Sequence, residues 1–191
     1  MSIPDPNQKY TYADYLKWTT LERYELIDGI PAQMTPAPGW QHQAIVRQLV
    51  IEFATFLRGK TCQVFTAPFD VRIPYQGEED QDTTHVFQPD LVVVCDPARL
   101  SGTGYYGAPT LIVEILSPHT AKNDRIIKFN KYEQAGVREY WLVEPETKIV
   151  TRFSLQEDRK YGRPENYTEE DKIEVTVLPG LGIDFHQVFN F

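Results

Sequence analysis

The sequence predicts a mixed α+β domain, an α/β architecture in which a mixed central sheet is flanked by helices, and three features carry that prediction. A strand, a helix and a second strand follow one another over 109–144, the order of a right-handed crossover between parallel strands. Two short β-branched runs, "PDLVVVC" (89–95) and "PTLIVEIL" (109–116), read as buried strands. A long helical pattern over 39–60 and several hairpin signals complete the set.

Taken in order, "TYADYLKW" (11–18) opens on Thr11 with Asp14 three positions on, a capping-box start to a short helix. "RYELIDGIPAQM" (23–34) reads as two strands around Asp28–Gly29, a favoured tight-turn dipeptide. In 39–60, Ala44, Ile45, Leu49, Ile51, Phe53 and Phe56 recur at helical spacing and Gly59 closes the element, so one face should be buried. "CQVFTAPFDVRIP" (62–74) gives one or two strands broken at Pro68, and 75–85 is an acidic polar loop. Gly102, Gly104 and Gly107 mark the connection between the two β-branched runs. "AKNDRIIKFNKYEQAG" (121–136) is a helix ended by Gly136, and "VREYWLVEP" (137–145) is a strand parallel to 109–116. Beyond Pro145, "KIVTRFSL" and "DKIEVTVL" are expected to form a hairpin across a charged turn. No repeat or linker interrupts 1–191, which is read as a single domain with its core at about 20–145.

Lys and Arg number 19 against 27 Asp and Glu, a net charge of −8. That balance argues against a broad nucleic-acid-coating surface but allows a local basic groove. No run approaches the ~20 apolar residues of a membrane span. "MSIPDPNQKY" lacks the basic-then-apolar pattern of a signal peptide. Cys62 heads a strand-like stretch and Cys95 reads as a small buried hydrophobe, so no disulfide framework is expected. A cytoplasmic location is the expectation. His42, His85, His119 and His186 lack the i,i+4 spacing of a helical zinc motif, and no G-x-S-x-G elbow surrounds Ser117.

Two carboxylates stand where a strand should be buried. Asp90 directly precedes "LVVV", and Glu114 sits inside "LIVEIL". A buried acid without a partner is costly, so each needs a reason. Strand alternation puts Leu111, Val113 and Ile115 on one face and Ile112, Glu114 and Leu116 on the other. If the strand after Asp90 runs antiparallel to 109–116, the start of one lies beside the end of the other. Asp90 and Glu114 then meet at one sheet edge and suit a divalent cation such as Mg²⁺ or Mn²⁺. Asp70 in "PFDVRIP" is either a further ligand or an edge-strand charge, and Glu25 in "YELIDG" either a site residue or a turn residue.

"PD" before a strand, "VEILS" on the next strand, a helix with "DRIIKFNKY" and then "GVREYWLVEP" together resemble the putative restriction endonuclease family of the PD-(D/E)XK nuclease superfamily. "YELIDGIPAQMTPAPGWQHQAIVRQL" is similar to that family's N-terminal stretch. The resemblance implies a restriction-endonuclease-like mixed sheet, here with extra β-hairpins, and Mg-assisted hydrolysis of phosphodiester bonds in DNA. By position it implies catalytic Asp90 and Glu114, and a metal set of Asp90, Glu114, the backbone carbonyl of Ile115 and, more remotely, Asp70. The lysine of the family triplet falls on Leu116, a departure. Its role is implied to have passed to the next helix, where Lys128 stands one turn from Asp124 and Lys131 competes with it. Arg125, Lys131 and His42 become the expected substrate contacts. DNA and a second copy of the chain are the implied partners, with the aromatics at 105–106 and 140–141 as a candidate dimer interface. Leu116 and the net charge of −8 motivate a competing reading, a catalytically inactive nuclease-fold binding or scaffold protein. A two-carboxylate glycosidase would need a sugar groove that nothing in the loops suggests.

Overall fold

The computed structural model describes residues 4–34, 39–118 and 120–191; His119 lies outside them. Helix α1 (Tyr12–Tyr15) is a single turn started as expected, with the Asp14 carboxylate accepting from the Thr11 amide at 3.2 Å. Asp28 and Gly29 both take positive φ, 54° and 78°, the geometry a tight hairpin turn requires, and so β1 (Tyr24–Ile27) and β2 (Ile30–Gln33) pair antiparallel. Helix α2 (Trp40–Leu57) buries His42, Ile45, Leu49, Phe53 and Leu57. Ile51, expected on that face, is 49% exposed, because it stands two residues, roughly 200°, round the helix from Leu49.

The break at Pro68 separates β3 (Gln63–Thr66) from β4 (Asp70–Arg72) and sends them into different sheets. Short β5 (Val86–Phe87) then leads to β6 (Leu91–Val94). The glycine-rich connection is more than a loop. It holds β7 (Leu100–Ser101) and β8 (Gly104–Tyr106), and β8 runs parallel to β4. Gly104 is required there, since a Cβ would lie 1.8 Å from the Asp70 carbonyl oxygen. Next come β9 (Leu111–Ile115), a π-helical turn (Asn123–Lys128) continuing into α3 (Phe129–Ala135), and β10 (Glu139–Glu144). Strands β9 and β10 are parallel, as a crossover dictates.

The C-terminal pairing differs from the expected hairpin. Strand β11 (Ile149–Ser154) pairs with β10 and with β12 (Glu165–Tyr167), whereas β13 (Lys172–Glu174), within "DKIEVTVL", pairs with β14 (Gly182–Asp184) just before α4 (Phe185–Val188). The run nearer to β11 in sequence closes the smaller loop and takes the pairing, although "DKIEVTVL" carries more β-branched residues.

The central sheet has the order β12-β11-β10-β9-β6-β3, and a second six-stranded sheet has the order β2-β1-β5-β4-β8-β7. One face of the central sheet (Leu91, Val93, Leu111, Val113, Trp141) packs on α2 and on Phe185 of α4. The other face (Val92, Ile112, Leu142) packs on Tyr132 of α3 and on Val71 and Phe87 of the second sheet. Alternation in β9 is therefore used on both sides, with Leu111, Val113 and Ile115 in one core and Ile112 and Leu116 in the other.

Two expectations fall here. Tyr140 and Trp141 are fully buried and Tyr105 is 3% exposed, so three of the four aromatics expected at a dimer interface belong to the chain's own core. The cysteines are not separate. Continuing the Gln63↔Val94 register of β3 and β6 by one residue sets Cys62 opposite Cys95, and the two form a disulfide with Cα atoms 3.9 Å apart. Among the described residues no helix is long and apolar enough to cross a membrane.

Candidate active site

Strand β6 runs antiparallel to β9, with Leu91 opposite Val113. The residue before β6 therefore lies beside the end of β9. Asp90 Oδ2 accepts from the Ile115 amide at 2.8 Å, and the Asp90 amide faces Glu114 Oε2 at 3.4 Å. From the first turn of α2, His42 brings Nε2 to 3.1 Å from the same Asp90 oxygen. Its Nδ1 is buried with no hydrogen-bond partner among the described residues.

Glu114, 3% exposed, accepts from Lys128 Nζ at 2.9 Å and from the Tyr132 hydroxyl at 3.1 Å. The same ammonium reaches Glu25 Oε1 at 2.9 Å and Asp124 Oδ1 at 3.5 Å. Glu25 comes from β1, in the other sheet, and also accepts from the Gln88 amide at 2.9 Å. The helix carrying Lys128 is not regular. The Phe129 amide reaches back five residues to the Asp124 carbonyl, which also accepts from the buried Tyr140 hydroxyl at 3.1 Å. This wider turn buries both Asp124 and Lys128 against the sheet end while Ile126 stays exposed. Leu116, where the resemblance implies a lysine position, is instead a core residue in the same cluster as Ile112 and Tyr140.

Four carboxylates (Glu25, Asp90, Glu114 and Asp124) thus surround one ammonium and one imidazole. Burial lifts the Glu114 carboxyl well above the usual carboxylate range, with Lys128 opposing and the neighbouring acids adding to the rise. Asp124 is raised for the same first reason. Burial alone would depress Lys128, but Glu114, Glu25 and Asp124 outweigh it and hold the ammonium well above its ordinary value. The site holds one cation, Lys128, among acids whose ionised forms burial disfavours. It opens onto a cleft of about 180 Å³ lined by Arg23, His42, Gln88, Asp90, Glu114 and Lys128 among others, including Ile115.

The remaining predicted residues lie elsewhere. Asp70 is on β4, with its carboxylate taken up by Thr103 Oγ1 (2.7 Å), Gln88 Nε2 (2.9 Å) and the Tyr12 and Tyr15 hydroxyls. Arg125 is paired with Glu144, and Lys131 with Asp28 at 2.6 Å. Asp28 also takes His85 Nε2 at 3.0 Å.

Burial holds the His85 imidazole below its ordinary value of 6.5; Lys131 pushes the same way and Asp28 opposes. The native ring is thus harder to protonate than the unfolded one. Its contribution to stability is complete above 6.5 and is lost as pH falls through the lowered native value. His85→Asn should therefore flatten the fall in thermal midpoint between about pH 7 and about pH 5 relative to the unaltered chain. Parallel pH profiles would contradict this linkage.

The sequence offered partial signals for the residues it did not assign to the site. Glu25, like Glu114, is an acid inside an apolar strand, and Asp124 stands one turn from Lys128. Tyr132, Gln88 and Arg23 carried no signal, because their importance comes from the docking of the second sheet and of α3.

A family model described as "Putative restriction endonuclease", Uma2, matches residues 12–186. The chain belongs to the Uma2 family. A relative of this Uma2 chain is the uncharacterized protein slr1290 of Synechocystis sp. (strain ATCC 27184 / PCC 6803 / Kazusa), 27% identical over 184 residues, 94% of this chain and 90% of that protein. A solved structure from Anabaena variabilis ATCC 29413, described as a putative nuclease belonging to DUF820, superposes with a TM-score of 0.74 at 19% identity, covering 94% of this chain and 97% of the other. That likeness shows that this Uma2 chain shares the fold of that structure.

Proposed function

We propose that this protein is a Mg²⁺- or Mn²⁺-dependent endonuclease that hydrolyses phosphodiester bonds of DNA, acting as a homodimer. The single observation that supports this reading most is the excess of carboxylates at one sheet edge. With Lys128 already enclosed by Glu25, Glu114 and Asp124, Asp90 beside them leaves negative charge that a small cation would balance. The donors are hard oxygens. Asp90 Oδ1 and Glu114 Oε2 are the atoms least engaged by protein groups. Among the described residues no set of three or more His, Cys, Asp or Glu side chains is arranged as a metal cage. Two such carboxylate oxygens suit magnesium, which takes one or two carboxylates and keeps its waters.

A bound Mg²⁺ would neutralise phosphate charge and lower the pKa of a coordinated water. The chain's own residues do the rest. The Ile115 amide and His42 fix the Asp90 carboxylate, and Lys128 and Tyr132 fix Glu114, so both acids are held in set orientations. Lys128 takes over from the absent triplet lysine by reaching in from the π turn, and its first role is to hold the acid cluster together.

The test is incubation of supercoiled and linear DNA with the protein in Mg²⁺ or Mn²⁺, beside Mn²⁺ calorimetry and sedimentation. Metal-dependent cleavage stopped by a chelator is expected, with micromolar protein sedimenting as a dimer. A chain that binds no Mn²⁺ and cuts no DNA would be a non-catalytic member of the family.

A further inference from the structure

The cations expected to meet substrate are already engaged. Lys128 is enclosed by three carboxylates, Arg125 is paired with Glu144 and Lys131 with Asp28. A phosphate entering this acid-rich cleft needs a positive group that lines it and is not already neutralised.

Arg23 meets both conditions. It lies just before β1, is exposed, and lines the same cleft as Asp90 and Glu114. Its Nε and Nη2 both donate to one atom, Gln88 Oε1, at 2.8 and 2.5 Å. No carboxylate pairs with it among the described residues. Gln88 is buried and tightly held. Its side-chain nitrogen donates to Asp70 Oδ1 and to the Tyr15 hydroxyl, both at 2.9 Å, and its amide donates to Glu25 Oε1 at 2.9 Å. With the amide nitrogen fixed by those acceptors, the carbonyl oxygen has one direction left, toward Arg23.

A neutral partner leaves the full positive charge in place. Of the five guanidinium donors, two are engaged and three remain, on a planar edge that matches two oxygens of a phosphate. Asp70, expected as a possible metal ligand, thus acts on the cleft through Gln88.

We infer that Arg23 is the phosphate anchor of this site: it holds the two non-bridging oxygens of a nucleic-acid backbone phosphate next to the Asp90–Glu114 pair. Gln88, backed by Asp70 and Tyr15, is its positioning residue. This rests on the nuclease reading above, and supplies the cation which that reading otherwise lacks.

The test is fluorescence anisotropy with fluorescein-labelled DNA oligonucleotides, single-stranded and duplex, in Ca²⁺ and over a salt series, for the unaltered chain, Arg23→Ala, Arg23→Lys and Gln88→Leu. Cleavage in Mg²⁺ is followed in parallel. Arg23→Ala should weaken binding about ten-fold and lower the slope of log K against log salt by about one phosphate contact, with KM rising more than kcat falls. Arg23→Lys should restore the slope but only part of the affinity, because the planar edge is lost. Gln88→Leu should keep the slope and lose affinity. If the unaltered chain binds and cuts DNA while Arg23→Ala matches it in affinity and slope, the anchor assignment is wrong and the nuclease reading stands. If the unaltered chain neither binds nor cuts, both fall together.

Discussion

Lys128→Met is expected to lower the unfolding free energy by about 3–5 kcal/mol, the largest stability loss from any single substitution in the site. Lys128 is 5% exposed, and its ammonium is the common partner of Glu25, Glu114 and Asp124. Methionine keeps much of the stem's volume and removes the charge, so the loss reports electrostatics rather than a cavity. The three acids would then share a dry pocket without a counterion, and protonation could relieve the strain only in part. Glu114→Gln in the same chain should recover a portion of the loss, because it removes one of the charges left unpaired. Urea unfolding of the single and double variants reads both effects. A loss of under about 1 kcal/mol, the range of an exposed ion pair, would mean the cluster is hydrated and not cohesive.

Asp90→Asn is expected to leave the fold intact and to reduce metal-dependent cleavage by about 10³-fold or more, since ligand loss removes several kcal/mol of transition-state stabilisation. Asparagine is isosteric, and its side-chain oxygen can still accept from the Ile115 amide, so the junction of β6 and β9 should survive. What disappears is the charge and the oxygen left open by that hydrogen bond. Thermal unfolding should show little change while Mn²⁺ binding is lost in calorimetry. Undiminished cleavage by this variant would remove Asp90 from the chemistry, whatever its position.

Much of this geometry was legible in the residues. The alternation in "LIVEIL" fixed which side of β9 each residue takes, and the acid at the entrance to "LVVV" needed a neighbour, which the antiparallel pairing of β6 and β9 provides. Lys128 was within reach from the following helix by stem length alone. The parts that stayed hidden are nonlocal. Glu25 joins only because β1 docks through β5 and β4 in a second sheet, a pairing that no short window of sequence encodes. A single π turn differs too little from α periodicity to be read over six residues. The Cys62–Cys95 pairing follows from the register of β3 against β6, which is known only once that pairing is known. Arg125 and Lys131 looked like free cations because their partners, Glu144 and Asp28, are far off in sequence.

The ion cluster takes Glu25 from one sheet, Glu114 from the other, and Lys128 from the helix between β9 and β10. Neither layer owns it. A nascent chain that has built only one sheet has no assembled centre, and a fragment released by proteolysis would lose it at once. Under the nuclease reading, hydrolytic competence therefore requires both sheets and the connecting helix to be in place together.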